Sequence, residues 1–185
     1  MEPSEFPFYY VQIAPYDYGR KNADKTEAAE IRQVQLECLK EIPNAGMVVT
    51  ADIGNRTCVH PSDKESVGKR LALWALAKTY QRSGTPYSGP LYKSFTIDKE
   101  KIIVEFDYAE MGMTSYDREI VGFEIAGKDG IYYPAKAVLF YNKTKVMLTS
   151  DQVPEPVGGK YGFRNYQPLN LFSNFGLPAS PFVAK

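Results

Sequence analysis

The sequence has few of the residues that build metal centres and disulfide frameworks. Its 185 residues include one histidine and two cysteines. Cys38 and Cys58 fall in a predicted helix and a predicted loop, and their spacing matches neither a zinc site nor a disulfide scaffold. We therefore expect two free thiols, no metal site and no cofactor.

An excess of one charge is also missing. The 22 basic and 22 acidic side chains cancel, and no window gathers the Lys and Arg that would bind a phosphate backbone or an anionic membrane. No apolar run approaches the roughly 18 residues of a membrane span, and residues 1–5 lack the basic and apolar regions of an export signal. We therefore expect no nucleic-acid partner, no membrane partner and no export signal in this chain.

Apolar side chains make up 44% of the chain, which is enough for a buried core, and in the first half they form two short runs. Residues 8–14 are aromatic and β-branched and are followed by a loop from Pro15 to Gly19. Residues 47–51 form the second run. Both runs are predicted to be short buried strands.

Each predicted strand is followed by a helical pattern. The first helix is capped by Asn22 or Asp24 and ends before Pro43. The second begins at a capping box, Ser62 to Glu65, and is apolar on nearly all sides between Leu71 and Ala77, so we expect it to be buried. The apolar positions that recur at helical spacing in the first helix are Ala28, Ile31, Val34 or Gln35, Cys38 and Ile42.

Strand, helix, strand and helix in this order predict a parallel sheet covered by helices. Two strands alone make a poor parallel sheet, because such sheets are normally buried on both faces and built from several strands. We therefore predict that residues 1–83 are the incomplete end of a larger α/β domain. Residues 84–90, which are rich in Gly and Pro, are predicted to be a linker.

Beyond the linker the apolar period becomes two. Apolar and polar side chains alternate over residues 102–108 and 121–126, and residues 137–141 and 145–149 flank a turn that is typical of a hairpin. Short strands separated by Gly and Pro predict an antiparallel β-sandwich, which we assign to residues 91–185. The predicted fold class is therefore α/β followed by all-β.

The single histidine, His60, lies in the loop between the second predicted strand and the second helix. Ligands bind outside the carboxyl ends of parallel strands, so this position places His60 at the edge of the sheet where catalysis is usual. Tyr16 and Tyr18 emerge at the same edge because both strands run in the same direction, and their rings suit stacking on a sugar. An exposed polar histidine and two rings that pack over the helix fit the same positions, so position alone leaves both interpretations open.

Several separate blocks of residues form a pattern that covers essentially the whole chain. They are Phe8-Tyr9-Tyr10-Val11-Gln12-Ile13-Ala14-Pro15-Tyr16, Asp52-Ile53-Gly54, His60-Pro61, Asp63-Lys64, Val67-Gly68-Lys69-Arg70-Leu71-Ala72-Leu73-Trp74-Ala75-Leu76-Ala77-Lys78-Thr79-Tyr80, Tyr87-Ser88-Gly89-Pro90-Leu91-Tyr92, Gly122-Phe123-Glu124-Ile125-Ala126-Gly127 and Gly176-Leu177-Pro178-Ala179-Ser180-Pro181-Phe182. This pattern closely resembles the C-terminal part of the sialate O-acetylesterase family.

That family is similar to the SGNH hydrolases, in which an α/β domain carries a serine nucleophile near its start and a histidine near its end. The resemblance implies that His60 is the general base in the removal of an acetyl ester from a sugar hydroxyl, typically at O9 of a sialic acid, through an acyl-enzyme. The implied partner is an O-acetylated sialic acid or another acetylated sugar. The resemblance also implies that residues 1–83 end an SGNH-like α/β hydrolase domain.

Two departures from the family pattern concern the partners of the histidine. Related hydrolases often place an aspartate three residues before it, where this chain has Thr57. Asp52 is a possible triad acid, and a backbone carbonyl is the alternative. Nothing matches the family's serine, because Ser62 is predicted to cap a helix and no Gly-x-Ser-x-Gly elbow occurs. We therefore expect no nucleophile in this chain and no esterase activity from the chain alone.

Two other hypotheses stay open at this point. The β-rich half is either a glycan-binding module with exposed tyrosine rings or a sandwich in which those rings form core and cross-strand pairs. A partner chain or segment is a second possibility, since it would supply the rest of the α/β domain by pairing with the exposed sheet edge. The tyrosines considered for glycan binding are Tyr92, Tyr108, Tyr116, Tyr132, Tyr133 and Tyr141.

Overall fold

The computed structural model describes residues 6–18 and 22–184. The predictions that concern residues 1–5 and Gly19 therefore lie outside the described residues. The helices are α1 (Glu27–Glu41) and α2 (Lys64–Trp74), and α2 continues into a π-helical turn at Ala75–Thr79. The strands are β1 (Phe8–Val11), β2 (Ala45–Val48), β3 (Leu91–Asp98), β4 (Lys101–Asp107), β5 (Met113–Thr114), β6 (Phe123–Ala126), β7 (Tyr132–Pro134), β8 (Lys136–Phe140), β9 (Lys145–Thr149), β10 (Gly158–Tyr161), β11 (Phe172–Ser173) and β12 (Phe182–Ala184).

The two strands of the first half pair in parallel, as predicted. Phe8 aligns with Ala45 and Val11 with Val48. Both strands end earlier than the apolar runs. The Gln12 N–H still donates to the Val48 carbonyl over 2.9 Å, but the Gln12 carbonyl then accepts the Thr50 hydroxyl over 2.7 Å. A side-chain hydrogen bond thus replaces the backbone ladder at the carboxyl end of the pair.

The start and the buried face of α1 differ from the prediction. Thr26, and not Asn22 or Asp24, occupies the cap position, because the Asn22 amide donates to the Tyr18 carbonyl and the Asp24 carboxylate pairs with Arg164. The buried residues are Ala28, Ala29, Arg32 and Leu36. Ile31 and Val34 are 52% and 58% exposed. This inward face of two alanines, an arginine and a leucine packs on both β2 and β12.

Helix α2 is buried along one side only, so the prediction of burial on nearly all sides is wrong for this chain. Arg70 and Trp74 are its buried residues; Trp74 contacts β2, and Arg70 contacts the residues that follow β2. The Trp74 indole N–H donates to the Met47 carbonyl over 3.0 Å, and the indole ring lies so close to Gly46 that a Cβ there would overlap it. Within residues 6–18 and 22–184, α2 packs on β1 and β2 and leaves its outer apolar side half-exposed.

The second half consists mainly of two four-stranded antiparallel sheets, which confirms the predicted antiparallel β-rich architecture. One sheet has the order β3-β4-β9-β8 and the other β12-β10-β6-β7. The predicted hairpin is β8 and β9, in which Phe140 pairs with Lys145. The alternation in β4 places Ile102, Val104 and Phe106 in the core. A shared apolar core joins these side chains to residues of β6, β10 and β12.

The predicted linker is packed against the rest of the molecule. Ser88, Gly89 and Pro90 are buried, and a Cβ at Gly89 would overlap the Pro178 carbonyl group. The Tyr87 ring lies 4.7 Å from Trp74 and 5.4 Å from Tyr108, measured between ring centroids. The division into an α/β end, a linker and a sandwich stays a prediction.

In the described part of the chain no helix has the length and hydropathy to cross a membrane.

Candidate active site

The loops that follow β1 and β2 meet at the carboxyl edge of the parallel pair. Gly54 lies so close to Pro15 that a Cβ there would overlap the Pro15 carbonyl oxygen and ring. Arg56 extends from the second loop to the first, and its Nε lies 3.3 Å from Asp17 Oδ2. The Tyr16–Tyr18 loop and the loop that carries His60 are therefore neighbours.

His60 lies in an exposed stretch of the second loop. The Asn55 side-chain oxygen accepts the backbone N–H groups of Thr57 and Cys58 over 2.8 and 3.0 Å, which forms a compact turn just before the histidine. The Cys58 thiol donates to the His60 carbonyl over 3.2 Å. The described residues make no hydrogen bond to the imidazole.

Asp52 is engaged by Arg70 and not by the imidazole. Arg70 Nη1 and Nη2 lie 2.8 and 2.6 Å from the two carboxylate oxygens, and Nη1 also donates to the Val49 carbonyl over 2.8 Å. The two side chains are 11% and 15% exposed. This bidentate, largely buried pair ties the end of β2 to α2. In the described residues Asp52 makes no contact that would orient His60.

A second carboxylate at this edge, Asp17, was not singled out from the sequence. Its side chain is 1% exposed, and Oδ1 accepts the Asn22 N–H over 2.7 Å while Oδ2 faces Arg56. Its position could have indicated this role, since Asp17 lies between the two tyrosines in the loop after the first strand. Its partner could not be read from the pattern, because Arg56 is 39 positions further along the chain.

Tyr16 and Tyr18 pack edge to face, with ring centroids 4.9 Å apart. The Tyr16 N–H donates to the Asn165 carbonyl over 3.1 Å, which fastens this loop to the β-rich half. Tyr18 is 42% exposed and borders a cavity of about 340 Å³ that Glu27, Ile31 and Asn165 also line. One of the two rings is thus accessible to a ligand at this edge.

The helix that follows the His60 loop is capped by Asp63 and not by the predicted Ser62 to Glu65 capping box. Asp63 Oδ1 accepts the Ser66 N–H over 2.9 Å, and Oδ2 accepts the Ser66 hydroxyl over 2.6 Å. The cap lies one residue later because Ser62 instead offers its carbonyl to the Lys64 N–H, 2.8 Å away. The two hydrogen bonds from Ser66 lower the pKa of the Asp63 carboxyl below its usual value of 3.8.

We expect Asp63→Asn to lower the thermal unfolding temperature at about pH 7, with a smaller effect in acid. A lowered folded-state pKa stabilises the protein above the unfolded pKa, and this contribution is lost as the pH falls through the folded pKa. Scans of both proteins between about pH 7 and pH 2.5 would therefore converge at the acid end. Ser62→Ala is the control and should change little. A gap that persists in acid, or a larger effect of Ser62→Ala, would contradict this cap assignment.

Most of the tyrosines considered for glycan binding take part in packing. Tyr92 stacks on Phe182 with centroids 4.5 Å apart, and Tyr133 packs against the core. Lys160 Nζ lies 4.3 Å from the Tyr132 ring centroid. Tyr116 and Tyr141, at 54% and 67% exposed, present the most open rings.

Cys38 is half-buried and Cys58 is exposed, and both are free thiols, as expected. No group of three or more His, Cys, Asp or Glu side chains in the described residues could hold a metal ion.

Comparison with known proteins identifies relatives of this chain. No protein-family model matches it. The sialate O-acetylesterases of Mus musculus and Rattus norvegicus are 26% and 29% identical to it over 199 aligned positions, which cover 97% of this chain. This chain is a relative of the sialate O-acetylesterases. The resemblance of its sequence blocks to that family is thereby confirmed.

A solved structure supports the same relationship. A carbohydrate acetylesterase from Xanthomonas citri superposes with a TM-score of 0.88 at 34% sequence identity, covering 97% of this chain and 41% of that protein. The chain spans 36% of the length of each curated sialate O-acetylesterase that it matches. This coverage is consistent with a correspondence to one part of those proteins.

Proposed function

We propose that this chain supplies the histidine-bearing part of a carbohydrate esterase that removes O-acetyl groups from a sialic acid, at O9, or from a related sugar. The names of its relatives support the substrate class, since two are sialate O-acetylesterases and one is a carbohydrate acetylesterase. The observation that carries the proposal is the position of His60, exposed on the loop at the carboxyl edge of β1 and β2 with its imidazole unpaired among the described residues.

In this proposal the imidazole of His60 acts as the general base on a serine that lies outside this chain. It accepts the serine proton as the serine oxygen attacks the acetyl carbonyl, and it returns that proton to the sugar oxygen that leaves. A water molecule, activated by the same imidazole, then hydrolyses the acetyl-enzyme. Amide donors for the tetrahedral oxyanion would also come from outside this chain. The chain alone would then be inactive.

The other residues at this edge have supporting roles. Asp52, a candidate triad acid, would act through Arg70 by fixing the end of β2, which leaves a backbone carbonyl as the group that orients the imidazole. Asp17 and Arg56 would hold the His60 loop against the first loop. Tyr18, with Tyr16 packed against its ring, would contact the sugar from the same side as the histidine.

The proposal requires further strands for the parallel sheet, and the second edge of β1 is a suitable position for them. In the described residues β1 pairs with β2 alone, so its second edge is open. Phe6 and Phe8, before and at the start of β1, are 60% and 53% exposed, and the outer side of α2 is half-exposed. We propose that the remainder of an SGNH-like α/β hydrolase domain, supplied by a preceding segment or a partner chain, adds a parallel strand to β1. Residues 1–83 would then end that domain, with 84–90 as the linker to the β-sandwich at 91–185.

Hydrolysis of 4-nitrophenyl acetate and of 9-O-acetylated sialic acid tests the proposal. The chain alone should match its His60→Ala variant. A hybrid in which this chain replaces the matching part of the Xanthomonas citri acetylesterase should be active, and His60→Ala in that hybrid should lower kcat by at least about 100-fold, the usual contribution of a general base.

Cys58→Ser in the same hybrid is the matched control, because it changes a neighbouring polar atom and leaves the imidazole in place. It should retain activity. Two results would refute the proposal: esterase activity of the chain alone that depends on His60, or a folded hybrid whose activity is the same with and without His60.

A further inference from the structure

A large cavity of the described residues has a lining that does not include His60. It has a volume of about 510 Å³, within the range of small-molecule sites. Ala45, at the start of β2, lines it together with Lys40 from the last turn of α1 and Lys78 from the π-helical turn. The cavity is therefore at the amino end of the parallel pair, whereas His60 follows the carboxyl end.

The cavity has an apolar floor and a polar rim. Leu36, Trp74 and Leu91, each at most 7% exposed, form the floor. The half-buried rings of Tyr92 and Tyr108 form part of the wall. The charged residues that line it are Glu37, Lys40, Lys78 and Asp107.

Two unusual backbone features meet at this cavity. The π-helical turn widens the end of α2 and places Lys78 Nζ 4.6 Å from the Tyr87 ring centroid. Tyr108, a bulky residue, has a φ of 61° in the left-handed region, which is unfavourable for a residue with a Cβ. Both features are concentrated at functional sites in proteins. The packing of the Tyr108 ring against Tyr87 helps to hold this conformation.

The rim of the cavity carries two ammonium groups, those of Lys40 and Lys78, that form no ion pair among the described residues. Asp107 Oδ1 lies 3.8 Å from Nζ of the exposed Lys93, and the Glu37 carboxylate accepts the Gln33 side-chain amide over 2.8 Å. Burial, and then the neighbouring Tyr87, raises the pKa of Tyr108, so its hydroxyl is neutral at physiological pH.

This charge pattern selects the chemical class of the ligand. A wholly apolar molecule would desolvate charged groups without pairing them. A strongly anionic molecule would face the carboxylates of Glu37 and Asp107, and a cationic one would face two lysines. A neutral saccharide has hydroxyls that both donate to carboxylates and accept from ammonium groups, and its C–H face suits the tyrosine rings. We propose that this cavity is a binding site for a neutral saccharide unit, separate from the esterase edge and independent of the proposed catalytic function.

Trp74 gives a local readout, because it is the only tryptophan of the chain and lies in the cavity floor. Its fluorescence would be titrated in the 185-residue protein with three neutral disaccharides: lactose, xylobiose and diacetylchitobiose. At least one should give a saturable change. N-acetylneuraminic acid and sodium phosphate, as an anionic sugar and a simple anion, should give none at the same concentrations.

Tyr108→Asn and Glu37→Gln should each weaken the binding of that disaccharide by about tenfold, a typical loss for an important contact. Asparagine tolerates the left-handed backbone of position 108, and Glu37 is exposed, so both variants should fold. Tyr141→Asn is the matched control, since Tyr141 is also a left-handed tyrosine, with a φ of 49°, but lies in the β8–β9 turn.

Three results would overturn the proposal. The first is the absence of a saturable change with every neutral disaccharide. The second is binding of the anions alone. The third is equal affinity in Tyr108→Asn, Glu37→Gln and Tyr141→Asn, which would place the sugar elsewhere. None of these results bears on His60, because the esterase assays use the opposite end of the parallel strands.

Discussion

Asp52→Ala is expected to lower the free energy of unfolding by about 3–5 kcal/mol, the usual cost of removing one partner of a buried ion pair. The change leaves the largely buried Arg70 guanidinium, 11% exposed, without its carboxylate. Arg70→Met should also be destabilising, because it leaves the Asp52 carboxylate, 15% exposed, without its partner and the Val49 carbonyl without its donor. Urea unfolding, followed by circular dichroism, measures both.

The double variant Asp52→Ala/Arg70→Met should be more stable than Asp52→Ala alone, since replacing a whole buried pair by apolar groups is often close to neutral. Glu155→Ala is the control, because the Lys128–Glu155 pair is 80% and 77% exposed and such pairs contribute little. If Asp52→Ala unfolds at the wild-type urea concentration, the carboxylate does not hold β2 to α2, and a direct role beside the imidazole becomes the better explanation.

The parts of the fold that follow simple periodicity could be predicted from the sequence. The alternation of Ile102, Val104 and Phe106 identified β4 and its inward face. The two runs flanking residues 142–144 identified the β8–β9 hairpin. The parallel pairing of β1 with β2 followed from the intervening helix, because the crossover between parallel strands usually contains one.

The main wrong predictions concern charged residues, because an analysis of apolar periodicity assumes that charged side chains face solvent. Arg32 is 1% exposed, and its Nη2 donates to the carbonyl of Arg164, 132 positions away. Burial lowers the pKa of Arg32 to about 10. Because the Arg32 side chain points into the protein, Ile31 and Val34 lie on the solvent side of α1. Their hydrophobicity had predicted the buried side. No local pattern contains the position of an acceptor so distant in the sequence.

The candidate site also has some features that could be predicted from the sequence and others that could not. His60 and the Tyr16–Tyr18 loop could be placed at one edge because the direction of parallel strands decides which loops are neighbours. The pairing of Arg56 with Asp17, and of Arg70 with Asp52, depends on side-chain reach across that edge. The helix cap moved by one residue, from Ser62 to Asp63, because both types of side chain are good caps and the geometry of the preceding turn decides between them.

Glu124 links the two halves of the molecule through a cluster of charges. Its carboxylate accepts from Lys160 Nζ over 2.8 Å and from Arg164 Nη2, and Arg164 Nη1 lies 2.6 Å from Asp24 in the segment before α1. Lys160 is the cross-strand neighbour of Glu124 in the pairing of β10 with β6. The Arg164 carbonyl in turn accepts from Arg32 of α1. One buried carboxylate thus positions the arginine that joins the sheet to the first helix.

Glu124→Ala should therefore lower the free energy of unfolding by about 3–5 kcal/mol, because Lys160, at 15% side-chain exposure, and Arg164 would lose a carboxylate that is itself 10% exposed. Lys160→Met in the Glu124→Ala background should restore part of the loss by removing one stranded charge. Glu105→Gln, in the more exposed cross-strand pair with Lys145, should have a smaller effect on the urea midpoint.

Hydrogen exchange can show whether Glu124 specifically joins the β-rich half to α1 or only stabilises its own sheet. In Glu124→Ala the amides at the start of α1 should exchange faster, since Ala28 N–H donates to the Asn165 side chain over 2.8 Å and Asn165 follows Arg164 directly. The β8–β9 hairpin, which lies in the other sheet, should keep its protection relative to global unfolding. Equal acceleration in the hairpin and in α1 would mean that Glu124 stabilises the whole molecule without a specific role in joining its halves.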